Sequence, residues 1–231
     1  MLVTLAATLA CLLLQAPPSA PAGVAAPPAI VKPYRLNVRV GEELRLTDLA
    51  GKERVLFDEF KERALVVVFW SYKDPVSRHY ARELAALEER HAGKLAVVLI
   101  DSNHDELVGG NDPLAKLREV VKAEQIRLPV LIDPGNKLAD DFNAAANGQV
   151  FVLDANRFVR YTGGIDDDPK GERRAQSIPV QTWLADALPS VLAGKPPAFP
   201  ETRPAGRPIK RAPRAGVPEQ GTLPGAKQKP K

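Results

Sequence analysis

Sulfur is almost absent from this chain. Of its 231 residues one is cysteine, Cys11, and one is methionine, Met1. Both precede a small-residue stretch in which Ala20-Pro21-Ala22 has the pattern of a signal cleavage site. A chain shortened there carries no thiol and no thioether, which excludes disulfide frameworks, cysteine nucleophiles, thiolate metal sites and methionine copper ligands. Aromatics are sparse at 6%, and no glycine-rich phosphate loop is present. The apolar run Leu2 to Leu14 is shorter than the ~20 residues that span a bilayer. It suits the core of an export signal instead, although no Lys or Arg precedes it. Residues 1–22 are therefore expected to direct export, to the periplasm or the outside.

Proline and charge divide what remains. Six of the 22 prolines lie at or before Pro33 and nine at or after Pro196. From Lys195 onward nine Lys and Arg face only Glu201 and Glu219, a net of +7 in a chain whose total is +4. The basic character belongs to the tail. Residues 23–34 read as a Pro/Ala-rich linker, 35–194 as the folded domain, and 195–231 as a disordered basic tail without apolar periodicity. Such a tail has the charge to hold an anionic polymer. With no aromatic after Phe199, specific nucleic-acid recognition by stacking is not expected.

The middle alternates strands with helices. Ala64 to Trp70 and Leu95 to Ile100 are continuous apolar runs, the pattern of strands buried on both faces. Between them Val76, Tyr80, Leu84 and Leu87 recur at helical spacing, with Gly93 placed to end the helix. Further helices are predicted over Leu114 to Gln125, Lys137 to Asn143 and Gln181 to Leu192, the last broken or kinked at Pro189. A short strand is predicted at Pro129 to Ile132. Gln149 to Leu153 and Phe158 to Tyr161 read as a hairpin around Asp154-Ala155-Asn156-Arg157. The sum is an α/β domain, a mixed sheet with helices on both faces.

Three segments carry a family resemblance. Val67-Val-Phe-Trp-Ser-Tyr-Lys-Asp-Pro-Val-Ser-Arg78, Val97-Val-Leu-Ile-Asp-Ser-Asn103 and Val150-Phe-Val-Leu-Asp-Ala-Asn-Arg-Phe-Val-Arg-Tyr-Thr-Gly163 together resemble the thioredoxin fold in its redoxin version. That group contains peroxiredoxins and exported thiol–disulfide oxidoreductases. The resemblance implies a Cys-Pro at the start of the first long helix and a cis-proline before the hairpin. This chain departs at each position: Asp74 stands for the reactive cysteine, Ser77 for the resolving one, and Gly148 for the cis-proline. A related Gly-Cys-x-Ile-Lys motif resembles Gly206-Arg-Pro-Ile-Lys210, where Arg207 replaces the cysteine.

An aspartate at a helix start gains the stabilisation a thiolate would, but it has no two-electron redox chemistry. Asp74-Pro75 is a favourable cap and first-turn pair, repeated at Asp112-Pro113. The expectation is a degenerate redoxin without catalytic residues or cofactor. Its groove, lined by Trp70, Tyr72, Asp74 and Gly148, would be left for a peptide or protein partner. Two alternatives stand beside it: a redoxin oxidoreductase dependent on partner thiols or a metal, and a tail-mediated binder of anionic envelope material. The weak metal candidates are His104, Asp101 and Asp105, with Asp74. Asp166-Asp-Asp168 is read as a solvated turn rather than a calcium site.

Overall fold

The computed structural model describes residues 33–41 and 44–213. The expected export signal, most of the linker and the last eighteen residues of the basic tail lie outside the described residues.

Seven strands form one sheet. In chain order they are β1 (Arg45–Asp48), β2 (Glu53–Val55), β3 (Ala64–Trp70), β4 (Leu95–Asp101), β5 (Val130–Ile132), β6 (Val150–Leu153) and β7 (Val159–Gly163). Their spatial order is β2-β1-β5-β4-β3-β6-β7. β3, β4 and β5 run parallel at the centre, while β1 and β6 join them antiparallel from either side. All seven residues of β3 and of β4 are buried, as strands sandwiched between helices must be.

Alternate residues of β3 feed two cores. Val66, Val68 and Trp70 meet Tyr80, Leu84 and Leu87 of α2 (Pro75–Arg90), Leu117 of α4 (Ala115–Ala123), and Leu184, Leu188 and Val191 of α7 (Trp183–Leu192). Leu65, Val67 and Phe69 face Leu56 and Phe57 of α1 (Leu56–Glu59), together with Leu138 of α5 (Lys137–Asp141) and Phe142 just beyond it. Two single-turn helices, α3 (His104–Leu107) and α6 (Glu172–Ala175), complete the set. The α/β reading holds, with helices on both faces of a mixed sheet.

Three local expectations change. α7 runs through Pro189 without a break, held by its buried face of Leu184, Leu188 and Val191. Asp112 does not cap α4; its carboxylate pairs with Arg118, and Leu114 occupies the cap position. The strands β1 and β2 are additions to the predicted elements; they carry no apolar pattern, because both are short and mostly half-buried, with Arg and Glu among their residues.

Candidate functional site

The carboxyl ends of β3, β4 and β5 and the start of α2 converge at one edge of the sheet, where open α/β folds hold their ligands. Trp70 ends β3, and residues 71–74 turn into α2. Asp74 is the N-cap: its Oδ2 accepts from the Ser77 amide at 3.1 Å, and Pro75 follows as the first helical residue. Ser77 ties the loop shut, its hydroxyl donating to the carbonyls of Ser71 (3.0 Å) and Asp74 (3.2 Å) while accepting from the Ser71 amide (3.2 Å). Both side chains are buried. The two positions where the resemblance places cysteines hold a structural cap and a loop brace.

A buried acid network lies behind this loop. Ser71 Oγ accepts from the amides of Lys73 and Asp74 and donates to Glu106 Oε1 at 2.5 Å; the other Glu106 oxygen accepts from the Tyr72 amide. Burial raises the Glu106 pKa above the usual carboxylate range. Asp101, fully buried at the end of β4, is raised further, first by burial and then by the Glu106 charge. Its Oδ1 accepts from the amide and side chain of Asn103, and its other oxygen meets no donor. Burial and the neighbouring Glu106 carboxylate both favour the neutral form of Asp101, whose proton would have Glu106 as its acceptor.

The metal candidates are not brought together. Asp105 pairs with Lys73 at 3.0 Å, His104 Nδ1 faces the Pro134 carbonyl at 3.3 Å, and Asp101 is committed to Asn103 and Glu106. Among the described residues no group of three His, Cys, Asp or Glu side chains could hold a metal ion. Asp166 to Asp168 are not a solvated turn either. Asp166 is buried against the Tyr80 hydroxyl and Arg174, and Asp168 accepts from the amides of Arg173 and Arg174 at the start of α6.

The largest correction concerns residues 195–213, expected to be disordered. After an exposed stretch from Ala193 to Lys195, the chain returns along β7, with the Thr162 amide donating to Pro200 and Thr202 to Thr162. It then crosses the site. The Arg207 carbonyl accepts from the amide and side chain of Asn147 (2.8 and 3.2 Å), and Ala146 and Pro208 form an antiparallel bridge. The Ile209 amide donates to Ala145, the Lys210 amide to Asn103 Oδ1 (3.1 Å), and the His104 amide to the Lys210 carbonyl (2.9 Å). Asn136 receives the Ala212 amide, and Ile209 is buried in the core that holds Phe69, Leu138 and Phe142. Composition could not reveal this strap, because hydrogen bonds to its main chain hold it, together with the side chains of Thr202, Ile209 and Arg211.

The strap also redistributes the expected groove. Gly148 lies beneath it, with φ +80° and its would-be Cβ only 2.8 Å from the Ala205 carbonyl oxygen. Gly206 lies over Asp74 and Asn147, and Arg207 presents an exposed side chain. Trp70 does not line a groove at all: it is wholly buried under α2. Tyr72 is half-buried, with the Lys73 ammonium 5.6 Å from its ring centre. Sequence reasoning missed the side chains that grip the strap, Asn103, Asn136 and Asn147. Asn103 and Asn147 form a reciprocal buried pair (3.0 and 3.2 Å). Their position flanking the recognised Asp101 and Gly148 was the available signal.

Comparison with known proteins places this geometry. The profile described as the AhpC/TSA family matches residues 35–162. No curated protein matches the sequence. Among solved structures, a hypothetical protein from Sinorhizobium meliloti 1021 is 28% identical with a TM-score of 0.65, covering 77% of this chain and 95% of its own. An uncharacterized conserved protein from Geobacillus kaustophilus is 24% identical with a TM-score of 0.66, covering 79% and 95%. A putative protein disulfide isomerase from Bacteroides thetaiotaomicron is 16% identical with a TM-score of 0.49, covering 69% and 91%.

Proposed function

The chain belongs to the AhpC/TSA family, and we propose that it is an exported member without thiol chemistry, a non-catalytic protein-binding or structural module. One observation carries this reading. The two helix-start positions that chemistry would need to be sulfur are Asp74 and Ser77, buried in hydrogen bonds that hold the loop closed. An aspartate there accepts a backbone proton donor but forms no mixed disulfide and no sulfenic acid. Cys11, the one thiol of the whole chain, belongs to the segment read as an export signal.

The reading asks nothing of a cofactor, and the acid pair Asp101–Glu106 serves the loop rather than a substrate. Glu106 holds Ser71 and Tyr72, and Asp101 holds Asn103. Both carboxyls are sequestered from solvent, so neither meets a ligand without the loop opening.

Insulin reduction and thiol-dependent peroxide reduction, measured on the export-processed chain with its mass verified, test the proposal. The expected rate equals the blank. Dithiol-dependent turnover by chain free of Cys11 would overturn it and favour an oxidoreductase working through partner thiols.

A further inference from the structure

We propose that residues 200–212 are an autoinhibitory strap: an intramolecular extended segment that occupies the edge groove and must leave before another extended peptide can enter. The inference rests on the reading of this groove as a protein-binding surface, and it adds what controls access to it.

The way the strap is held carries the argument. Asn147 binds the Arg207 carbonyl, Asn103 the Lys210 amide, Asn136 the Lys210 carbonyl and the Ala212 amide. The 145–147 loop adds main-chain bonds to Arg207 and Ile209. Every one of these contacts reads backbone, as strand addition does, and none identifies a side chain. The residues between them, Arg207, Pro208 and Lys210, are exposed. Side-chain selection is added at four places. The Thr202 hydroxyl meets Tyr161 and the Gly164 amide, and Arg211 pairs with Asp140 and donates to the Ala144 carbonyl. Ile209 fills an apolar site, and position 206 must be glycine, because with φ +117° its Cβ would stand 2.0 Å from the Asn147 carbonyl oxygen and 3.0 Å from Asp74 Oδ2.

Because three asparagines read its backbone, the groove admits another extended segment that carries glycine, an aliphatic residue three positions later, and counterparts of Thr202 and Arg211. The strap prevails because it is tethered, which supplies a high effective concentration. If it is seated ~99% of the time, the affinity of an incoming peptide falls about 100-fold.

The test uses a fluorescent synthetic peptide with the sequence of residues 200–212, its binding followed by polarisation. The intact chain should bind it weakly. Gly206→Val, which cannot seat its own strap, should bind at least tenfold more tightly, and a peptide carrying valine at the same position should not bind. Equal binding by both chains, or none by a Gly206→Val chain with an unchanged circular dichroism spectrum, would overturn the proposal. Should that variant fail to fold, a wild-type chain clipped at a protease site inserted between Lys195 and Pro200 decides. Exchange of the clipped strap for labelled peptide supports the proposal; a folded, clipped chain that never exchanges refutes it. Neither readout involves thiol turnover, so the outcome is independent of the catalytic assay.

Discussion

Gly206 lies over Asp74 with no room for a side chain between them. A Cβ on Gly206 would stand 3.0 Å from the same Asp74 Oδ2 that accepts from the Ser77 amide. The helix cap and the strap therefore share one carboxylate oxygen as a common surface. A change on either side is felt on the other.

Replacing Asp74 by alanine should lower stability by about 1 kcal/mol, the usual worth of an N-cap. Asp74→Asn keeps an acceptor for Ser77 and should lose much less. Urea unfolding of the two variants beside the native chain distinguishes them. Equal losses would assign the effect to charge rather than to the cap.

Proline at position 148, the family-like residue, should not improve this chain. Gly148 adopts φ +80°, outside proline's range, and its amide donates to the Phe69 carbonyl at 2.6 Å. Gly148→Pro should cost about 3 kcal/mol or more and loosen the strap, since Ala205 presses against the same site. Thermal unfolding together with proteolysis of the strap measures both effects. A variant as stable as the native chain would show that the loop can rebuild.

Stability should fall as pH rises through the raised folded pKa of Asp101. The neutral acid is the form the fold favours, so its contribution is whole below the ordinary value of 3.8 and is lost above the folded one. Asp101→Asn supplies a permanent donor toward Glu106 and should flatten this slope. The gain over the native chain at neutral pH should be on the order of 1 kcal/mol. Denaturation midpoints followed from acid to mildly alkaline solution provide the measurement, and parallel curves for the two chains would remove the acid pair from the account.

Cysteines placed together at Asp74 and Ser77 should close a disulfide, because they occupy the cap and the third residue of α2. Reductase activity should nonetheless stay low until Gly206→Val is added, since the strap lies over position 74. Intact mass reports closure and insulin reduction reports access. Full activity without the third substitution would show that the strap does not obstruct the site.

What the sequence disclosed depended on how each feature is encoded. β3, α2 and β4 were legible because burial on both faces leaves unbroken apolar runs, and burial on one face leaves helical spacing. Asp74 was legible as a cap because the Asp-Pro pair is a local signal. Asp112-Pro113 carries the same signal, yet Arg118 takes its carboxylate, a tertiary choice that no dipeptide reveals. The strap was invisible for a related reason. Its glycine, prolines and basic residues read as unstructured, whereas its order comes from asparagines sixty or more residues away in sequence. The fragment Gly206-Arg-Pro-Ile-Lys210 resembles a redox motif, and its place across the sheet edge does not follow from that likeness.

The reciprocal clasp of Asn103 and Asn147 has a chemical consequence of its own. Asn147 is followed by Gly148, the pairing most open to spontaneous deamidation, in which the glycine amide nitrogen attacks the asparagine side-chain carbonyl. Here that nitrogen is bound to Phe69 and that carbonyl oxygen to Asn103, while the Asn147 side-chain nitrogen, which would leave as ammonia, donates to the Arg207 carbonyl of the strap. Lifting the strap would remove its bonds to that leaving nitrogen and to Asn103. An aspartate formed at 147, with release of ammonia, would put a carboxylate where the Arg207 carbonyl needs a donor, and the strap would then reseat poorly. The time a molecule has spent open would thus be written into its covalent structure.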